Sequence, residues 1–180
     1  KIINVFSTPT NYIYISNSKG EAQIYYPLTN TLSVNSNIEL SSQEDLLYYF
    51  INSKVQDMGL SSSGYLVYSI KNEKGMIIKS WKSSNAKMKV AKVDVYYQHQ
   101  YPVFSVFYDS KNNITKKIYY TNYIFCKYYS IPGKITEIDY SSKKDSTINR
   151  KVYSNVQTDK NAVSPYYNFK VPLNAKTVKM

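Results

Sequence analysis

This basic chain of 180 residues contains 21 Tyr but only one His, one Cys and five Gly. Hydrolytic and redox enzymes depend on His, Cys or clustered carboxylates, and nucleotide-binding enzymes need glycines where phosphates approach the backbone. The composition therefore predicts a binding or assembly protein and not an enzyme. The lone Cys excludes an intrachain disulfide, and the 43% hydrophobic content excludes wholesale disorder.

The formal charge of +11 is unevenly distributed. Residues 1–60 hold three Lys and five acidic residues, so the positive excess lies in residues 61–180. Such an excess can mark a surface for nucleic acid, anionic lipid or an acidic protein. It can also reflect a lysine-rich composition, since the lysines are scattered singly. Because Arg150 is the only Arg, sequence-specific DNA readout is disfavoured.

The first predicted elements are strands. Residues 12–15 and 22–26 alternate apolar and polar side chains around a polar connector that ends in Gly20, which indicates a β-hairpin. Residues 29–41 are polar and are predicted to form a loop.

The clearest helix is predicted at residues 43–58. Ser41 and Glu44 have the spacing of a capping box, and Gly59 provides a stop signal. The apolar stripe recurs at helical spacing in Leu46, Leu47, Phe50, Ile51, Val55 and Met58.

The remainder is rich in predicted strands. In residues 60–86 the pattern allows either a hairpin of Tyr65–Ile70 with Met76–Trp81 or short irregular helices. Further strands are predicted at residues 87–97, 102–109, 116–129, 135–140, 148–156 and 168–173. A helix followed by antiparallel strands predicts an α+β domain in which the helix packs on a curved sheet.

Few residues are candidates for catalysis or metal binding. His99 lies between predicted strands with no His or Cys partner suited to a metal site, so we interpret it as a loop residue. Glu137 and Asp139 share a strand face but offer too few oxygen ligands for a cation. No residue is assigned as catalytic, cofactor-binding or metal-binding, and no cofactor is expected.

An interleaving of aromatic and basic residues is the strongest local signal. Binders of single-stranded nucleic acid stack bases on aromatic rings beside lysines, but any half-exposed sheet of this composition would show the same pattern. The pattern comprises Tyr96, Tyr97, Lys116, Lys117, Tyr119, Tyr120, Tyr123, Lys127, Tyr128 and Tyr129.

The predicted helix carries tyrosines beside its apolar stripe, and tyrosine is enriched in interface cores. Core packing explains the same residues equally well. The interaction hypothesis assigns a protein-contact surface to Leu47, Tyr48, Tyr49, Phe50 and Ile51.

Several segments together resemble VirB-eight-type subunits of bacterial type IV secretion systems. The segment 13–20 with 24–30 resembles the part of that family that follows its membrane anchor, and 46–55 resembles its first long helix. The strands at 88–95, 103–108 and 118–129 match its strand order. Ser164-Pro165 followed by Phe169 resembles a weakened form of its closing motif.

The resemblance implies a nuclear-transport-factor-2-like cone, a curved antiparallel sheet with helices packed in its concave face. Residues 1–30 would be an extension leading from an upstream membrane anchor, and residues 31–180 the periplasmic domain. The protein would span the inner membrane once and act as a non-enzymatic assembly subunit. It would self-associate weakly and contact other channel subunits, with nucleic acid not expected as a partner. The alternative function is a single-strand nucleic acid or anionic-surface binding module.

Overall fold

The computed structural model describes residues 2–7, 10–16, 22–35, 46–141 and 145–179. The chain divides into two compact units, one of residues 1–48 with 157–180 and one of residues 49–156. The predicted division at residue 30 stays a prediction. Within the described ranges, no helix is long and apolar enough to cross a membrane.

The first unit contains a five-stranded sheet in the order β1-β2-β3-β4-β12. Its strands pair antiparallel, except that β12 runs parallel to β4. The strands are β1 Ile2–Phe6, β2 Tyr12–Ser16, β3 Ala22–Tyr26, β4 Thr31–Asn35 and β12 Lys176–Lys179.

The predicted hairpin of residues 12–26 is present as β2 and β3. Two other local predictions are wrong: residues 31–35 form a strand and not a loop, and the last strand lies at Lys176–Lys179 and not at 168–173. Both errors have one cause, since β4 and β12 pair with each other across the length of the chain. Asn30 fixes this pairing, because its carbonyl accepts from the Lys176 amide at 2.9 Å and its side chain donates to the Asn174 carbonyl at 3.2 Å.

The second unit is built on a seven-stranded antiparallel sheet in which each strand pairs with its neighbours in sequence. The two-residue turn between β7 and β8 is His99-Gln100, whose φ angles of 47° and 71° suit a type I′ hairpin. The strands are β5 Tyr65–Glu73, β6 Met76–Ser83, β7 Lys92–Gln98, β8 Tyr101–Tyr108, β9 Ile114–Phe125, β10 Ser130–Tyr140 and β11 Ser146–Val152.

Of the two alternatives for residues 60–86, the hairpin is the one that the structure contains, as β5 and β6. The strands predicted at 135–140 and 148–156 correspond to β10 and β11, which pair with each other. Gly133 lies inside β10. A Cβ at Gly133 would collide with the Asn122 carbonyl on the neighbouring strand, so only glycine allows this close approach.

One side of this sheet, here called the inner face, forms the hydrophobic core. Its buried side chains are Trp81, Val93, Val95, Tyr97, Ile118, Tyr120 and Ile135. Residues 49–64 supply side chains to this core. Phe50 packs on Tyr120 with ring centroids 5.6 Å apart, and Leu60 joins the cluster around Trp81.

The predicted helix over residues 43–58 is much shorter, because α1 spans Leu46–Ile51. The amide of Lys54 donates to the Tyr49 carbonyl and that of Ser53 to the Phe50 carbonyl, with Ser53 at φ 55°. These are the hydrogen bonds of a Schellman motif, which ends the helix about two turns before the predicted stop. The predicted cap at Ser41 and Glu44 lies outside the described residues.

The predicted α+β class and the nuclear-transport-factor-2-like cone are wrong. The described residues form twelve strands and one six-residue α-helix, with no set of long helices packed on a sheet. Of the apolar residues expected on a long helix, Val55 and Met58 fall instead in a series of turns after residue 51. Gly64 has φ 81°, its amide donates to Ser61, and the amide of Tyr65 donates to Leu60.

Phe50→Ala is expected to lower the free energy of unfolding by about 3–5 kcal/mol, because Phe50 is 1% exposed. Ile51→Ala should cost less than about 1 kcal/mol, since Ile51 is 37% exposed and much of its side chain already contacts water. Urea denaturation followed by circular dichroism measures both. Equal losses in the two variants would contradict the assigned packing of the inner face.

Candidate functional site

The side of the seven-stranded sheet opposite the core carries a continuous pattern of rings and cations. Residues directly opposite each other on paired strands point to the same side of a sheet. The register therefore defines a row that crosses all seven strands: Lys71, Ile78, Tyr96, Phe104, Tyr119, Thr136 and Arg150.

We call this side the aromatic–lysine face and define it by twelve residues. Six are aromatic and six are cationic: Tyr68, Tyr96, Phe104, Tyr108, Tyr119, Tyr140, Lys71, Lys82, Lys92, Lys117, Lys134 and Arg150.

Alternation along the strands divides the doublets in the sequence between the two sides of the sheet. In Tyr96-Tyr97 and Tyr119-Tyr120 the first residue lies on the aromatic–lysine face and the second is buried in the core. Lys116-Lys117 is also divided, but here the second residue, Lys117, points outward and Lys116 points to the inner side. The predicted aromatic and basic cluster is therefore not one surface.

Sequence reasoning missed several members of this face. Phe104, Tyr108, Lys82 and Lys92 lie on strands whose pairing is needed to place them beside Tyr96 and Tyr119. The available signal was the alternation within the strands predicted at 87–97 and 102–109, which separates outward from inward positions once both strands are paired.

Three rings form a ladder across β7, β8 and β9. The centroids of Tyr96 and Phe104 are 5.3 Å apart and those of Phe104 and Tyr119 are 4.6 Å apart, with interplanar angles of 46° and 31°. Tyr119 is 37% exposed. The ladder can thus offer ring surface to a ligand at Tyr119, supported from the side by Phe104.

Each of three lysines lies over a tyrosine of the same face. The distance from Nζ to the ring centroid is 4.5 Å for Lys82 and Tyr68, and 3.8 Å for Lys92 and Tyr108. For Lys117 over Tyr140 it is 5.6 Å. These cation–π contacts keep the ammonium groups beside the rings.

The two sides of the sheet differ in charge. By register, the acidic residues on the aromatic–lysine face are Glu73 and Asp94, against its six cations. Glu137 and Asp139 instead point to the inner side. Their carboxylates lie 3.5 and 3.2 Å from Nζ of Lys116 on that side. The aromatic–lysine face is therefore cationic overall.

Asp94 is the buried acid of this face. Its Oδ2 pairs with Nζ of Lys92 at 3.0 Å, and its Oδ1 accepts no hydrogen bond from the described residues. Burial, together with the negative charge of Asp94, raises the pKa of Tyr108 to about 12. Burial also raises the pKa of Tyr96. Both hydroxyls therefore stay neutral at physiological pH and add no negative charge to the face.

The predicted protein-contact residues on α1 have different environments. Tyr49 and Phe50 are buried, Leu47 and Tyr48 are half-buried, and Ile51 is exposed. A Cβ at Gly59, which has φ 76°, would collide with the ring of Tyr49. Whether these residues contact a partner protein stays a prediction.

A cavity of about 280 Å³ lies beside the turn between β9 and β10. Three residues of the predicted aromatic and basic cluster line it: Lys127, Tyr128 and Tyr129. Cys126 and Tyr101 also contribute to its wall. His99 occupies the exposed turn before β8. Within the described part of the chain, no group of three or more His, Cys, Asp or Glu is placed to hold a metal ion.

No family model matches the sequence, and no curated protein matches it. Solved structures show distant similarity. One is a domain from Vibrio parahaemolyticus assigned provisionally as an outer membrane lipoprotein-sorting protein, at 12% identity and TM-score 0.47, covering 86% of this chain and 72% of that one. A DUF1329 family protein from Desulfovibrio piger has 12% identity and TM-score 0.49, with coverages of 92% and 78%. A LolA superfamily protein from Nitrosomonas europaea has 10% identity and TM-score 0.41, with coverages of 80% and 67%.

At these TM-scores no function passes from those proteins to this chain. The resemblance to VirB-eight-type subunits is nevertheless wrong, because the structure has two sheets where that family's cone requires one sheet filled by helices. The predicted partners rested on the same family and are wrong with it: the channel subunits, the weak self-association and the membrane tether.

Asp94→Asn is expected to lower the pKa of Tyr108 from about 12 toward 10, because it removes a negative charge that favours the neutral phenol. A raised folded-state pKa means that Tyr108 contributes stability fully below pH 10 and loses it as the pH rises through 12. The variant should therefore show a smaller loss of stability in that range. Titration of absorbance at 295 nm, with Tyr108→Phe to identify the signal, measures the pKa. An unchanged midpoint in Asp94→Asn would contradict the coupling.

Proposed function

We propose that the protein is a non-enzymatic binding protein that holds an anionic ligand on the aromatic–lysine face. Single-stranded nucleic acid is the ligand class whose chemistry fits this face best, since it combines repeated negative charges with stackable rings. The observation that carries the proposal is the row of Tyr96, Phe104 and Tyr119 flanked by cations on the same side of one sheet.

Electrostatic attraction is the first contribution. Six cations and two carboxylates share the face, and one of those carboxylates, Asp94, is already paired with Lys92. Lysines bind phosphates as point charges and release counterions, with little dependence on sequence. A face with five Lys and one Arg therefore suits a ligand recognised by its backbone charge.

Ring contacts are the second contribution. Stacking of a base on an aromatic side chain is worth about 1–3 kcal/mol and tolerates any base. Tyr119 offers the most exposed ring of the ladder, and Lys117 lies two residues before it on the same side of β9. A charged group and a ring are thus presented together at the spacing of one strand repeat.

The absence of an enzymatic activity is part of the proposal. It is supported by a residue inventory with one His and one Cys, which leaves acid–base and nucleophilic chemistry with few candidates. A location in the periplasm is also part of the proposal, but membership of a type IV secretion channel is not. Fractionation of cells expressing the full-length protein tests the location directly.

Binding of a fluorescein-labelled twelve-residue oligo-dT is expected to weaken steeply with salt. If about four phosphates are contacted, the slope of log K against log salt is about −2.8, so a change from 50 to 200 mM weakens binding about 50-fold. Lys117→Ala should reduce the slope by about 0.7. Tyr119→Ala should weaken binding about 5- to 150-fold without changing the slope. Fluorescence anisotropy measures all three.

The matched controls are Lys160→Ala and Tyr167→Ala, which change the same residue types at exposed positions outside the seven-stranded sheet. Neither should alter binding. Equal effects in the controls, or a salt-independent affinity, would exclude this face as the site. Binding to vesicles containing phosphatidylglycerol but not to oligo-dT would replace nucleic acid by an anionic lipid surface.

A further inference from the structure

The strand β5 forms an edge of the seven-stranded sheet, and the described residues place no strand on its outer side. It is nine residues long, and its large apolar side chains are exposed. The exposed fractions are 66% for Leu66, 43% for Val67, 49% for Tyr68 and 63% for Ile70. Ile77 on β6 adds 45%.

This exposure is present on both sides of the strand. The register puts Leu66 on the side of the aromatic–lysine face, whereas Val67 and Ile70 lie on the inner side, opposite Trp81 and Lys79. Only Tyr65, at the start of the strand, is buried. A surface that is apolar on both sides of an unpaired edge is unusual, because such an edge is a template for another strand.

The other edge of the same sheet differs. The strand β11 is seven residues long and places Arg150 and Lys151 among its residues. Ile148 and Val152 are exposed there, but both lie on one side of the sheet, in the rows that contain Lys117 and Lys134. The two-sided apolar exposure is thus a property of β5.

The charge around β5 indicates the kind of strand that would fit. The hairpin β5–β6 carries four lysines and one acid: Lys71, Lys74, Lys79, Lys82 and Glu73. An added strand would pair with β5 and place its side chains beside Lys71 and the exposed apolar residues, next to a hairpin that is positively charged overall. Acidic residues alternating with apolar ones would complement both.

We propose that the edge of β5 binds an extended peptide segment of another protein by β-strand addition, and that this segment alternates apolar and acidic residues. Main-chain hydrogen bonds to β5 supply affinity, and the alternate side chains supply specificity. This site shares the outward Lys71 with the aromatic–lysine face, but its apolar contacts at Val67 and Ile70 lie on the inner side.

A second copy of this chain fits the edge less well. Pairing β5 with itself would bring two hairpins of the same net positive charge together, and like charges on neighbouring strands oppose pairing. An acidic partner has no such penalty. Self-pairing is therefore an outcome that the experiment must distinguish.

The probe is a pool of labelled nine-residue peptides that alternate Val, Ile, Phe or Tyr with Asp or Glu, compared with a matched pool that contains Lys or Arg in place of the acids. The full chain is expected to retain the acidic pool at least 10-fold more strongly. Ile70→Asp should reduce that retention at least 10-fold, because it puts a charge opposite the apolar residues of the peptide on the inner side. The change is at an exposed position and should leave the circular dichroism spectrum unchanged.

The matched control is Ile148→Asp on β11, which is 60% exposed on the opposite edge strand. It should retain the acidic pool as the unchanged protein does. Hydrogen exchange with a retained peptide should show new protection in residues 65–73. Ile70→Asp should leave the affinity for oligo-dT unchanged, because Ile70 lies on the inner side of the sheet. This keeps the result separable from that of the aromatic–lysine face.

The proposal is overturned by equal retention of the two pools, by retention that Ile70→Asp does not change, or by protection outside β5. A concentration-dependent dimer in sedimentation that Ile70→Asp abolishes would also overturn it, because the occupant would then be a second copy.

Discussion

The seven-stranded sheet depends on the cover that residues 49–64 give to its inner face. Phe50 fills the space against Tyr120, and Leu60 completes the cluster around Trp81. The backbone of this segment also contributes, since the Gln56 carbonyl accepts hydrogen bonds from the Tyr97 hydroxyl at 2.9 Å and from Nζ of Lys79 at 3.0 Å. Irregular backbone over a core is acceptable only when its polar groups find such partners.

Because residues 49–64 cover the inner face, the hydrophobic core lies on that side, and the side chains of the opposite face are not required to pack in it. A strand buried on both sides would read as a continuous apolar run, whereas β9 alternates buried Ile118 and Tyr120 with outward Lys117 and Tyr119. The outward positions can therefore carry lysines and partly wet rings at little cost in stability. The aromatic–lysine face is a consequence of one-sided burial and not of an added element.

Sequence reasoning succeeded where pairing is local. The hairpin of β2 and β3, the turn at His99 and the alternation in β7 to β9 all depend on residues close together in the chain. The position of the last strand was not predictable in this way, because its parallel partner lies about 145 positions away and leaves no local trace in the sequence. Pro172 also argues against a strand at 168–173, since proline has no amide hydrogen to donate to a neighbouring strand. The predicted helix was too long because the apolar residues keep a helical spacing beyond the point at which the chain leaves the helix. The helix ends in a left-handed turn at Ser53, a position where glycine is the usual signal and serine is not.

The tyrosine content, on which the expectation of a binding protein rests, has two physical roles in one sheet. Inward tyrosines such as Tyr97 and Tyr120 are buried, and burial raises the pKa of each hydroxyl well above its ordinary value. Outward tyrosines such as Tyr108 and Tyr119 meet lysines or neighbouring rings instead. One residue type serves both sides because its ring is apolar and its hydroxyl can either find a partner or stay in water. In a doublet such as Tyr119-Tyr120, two identical side chains on one strand therefore lie in two different environments. The pairing register of the strand decides which of the two tyrosines can contact a ligand.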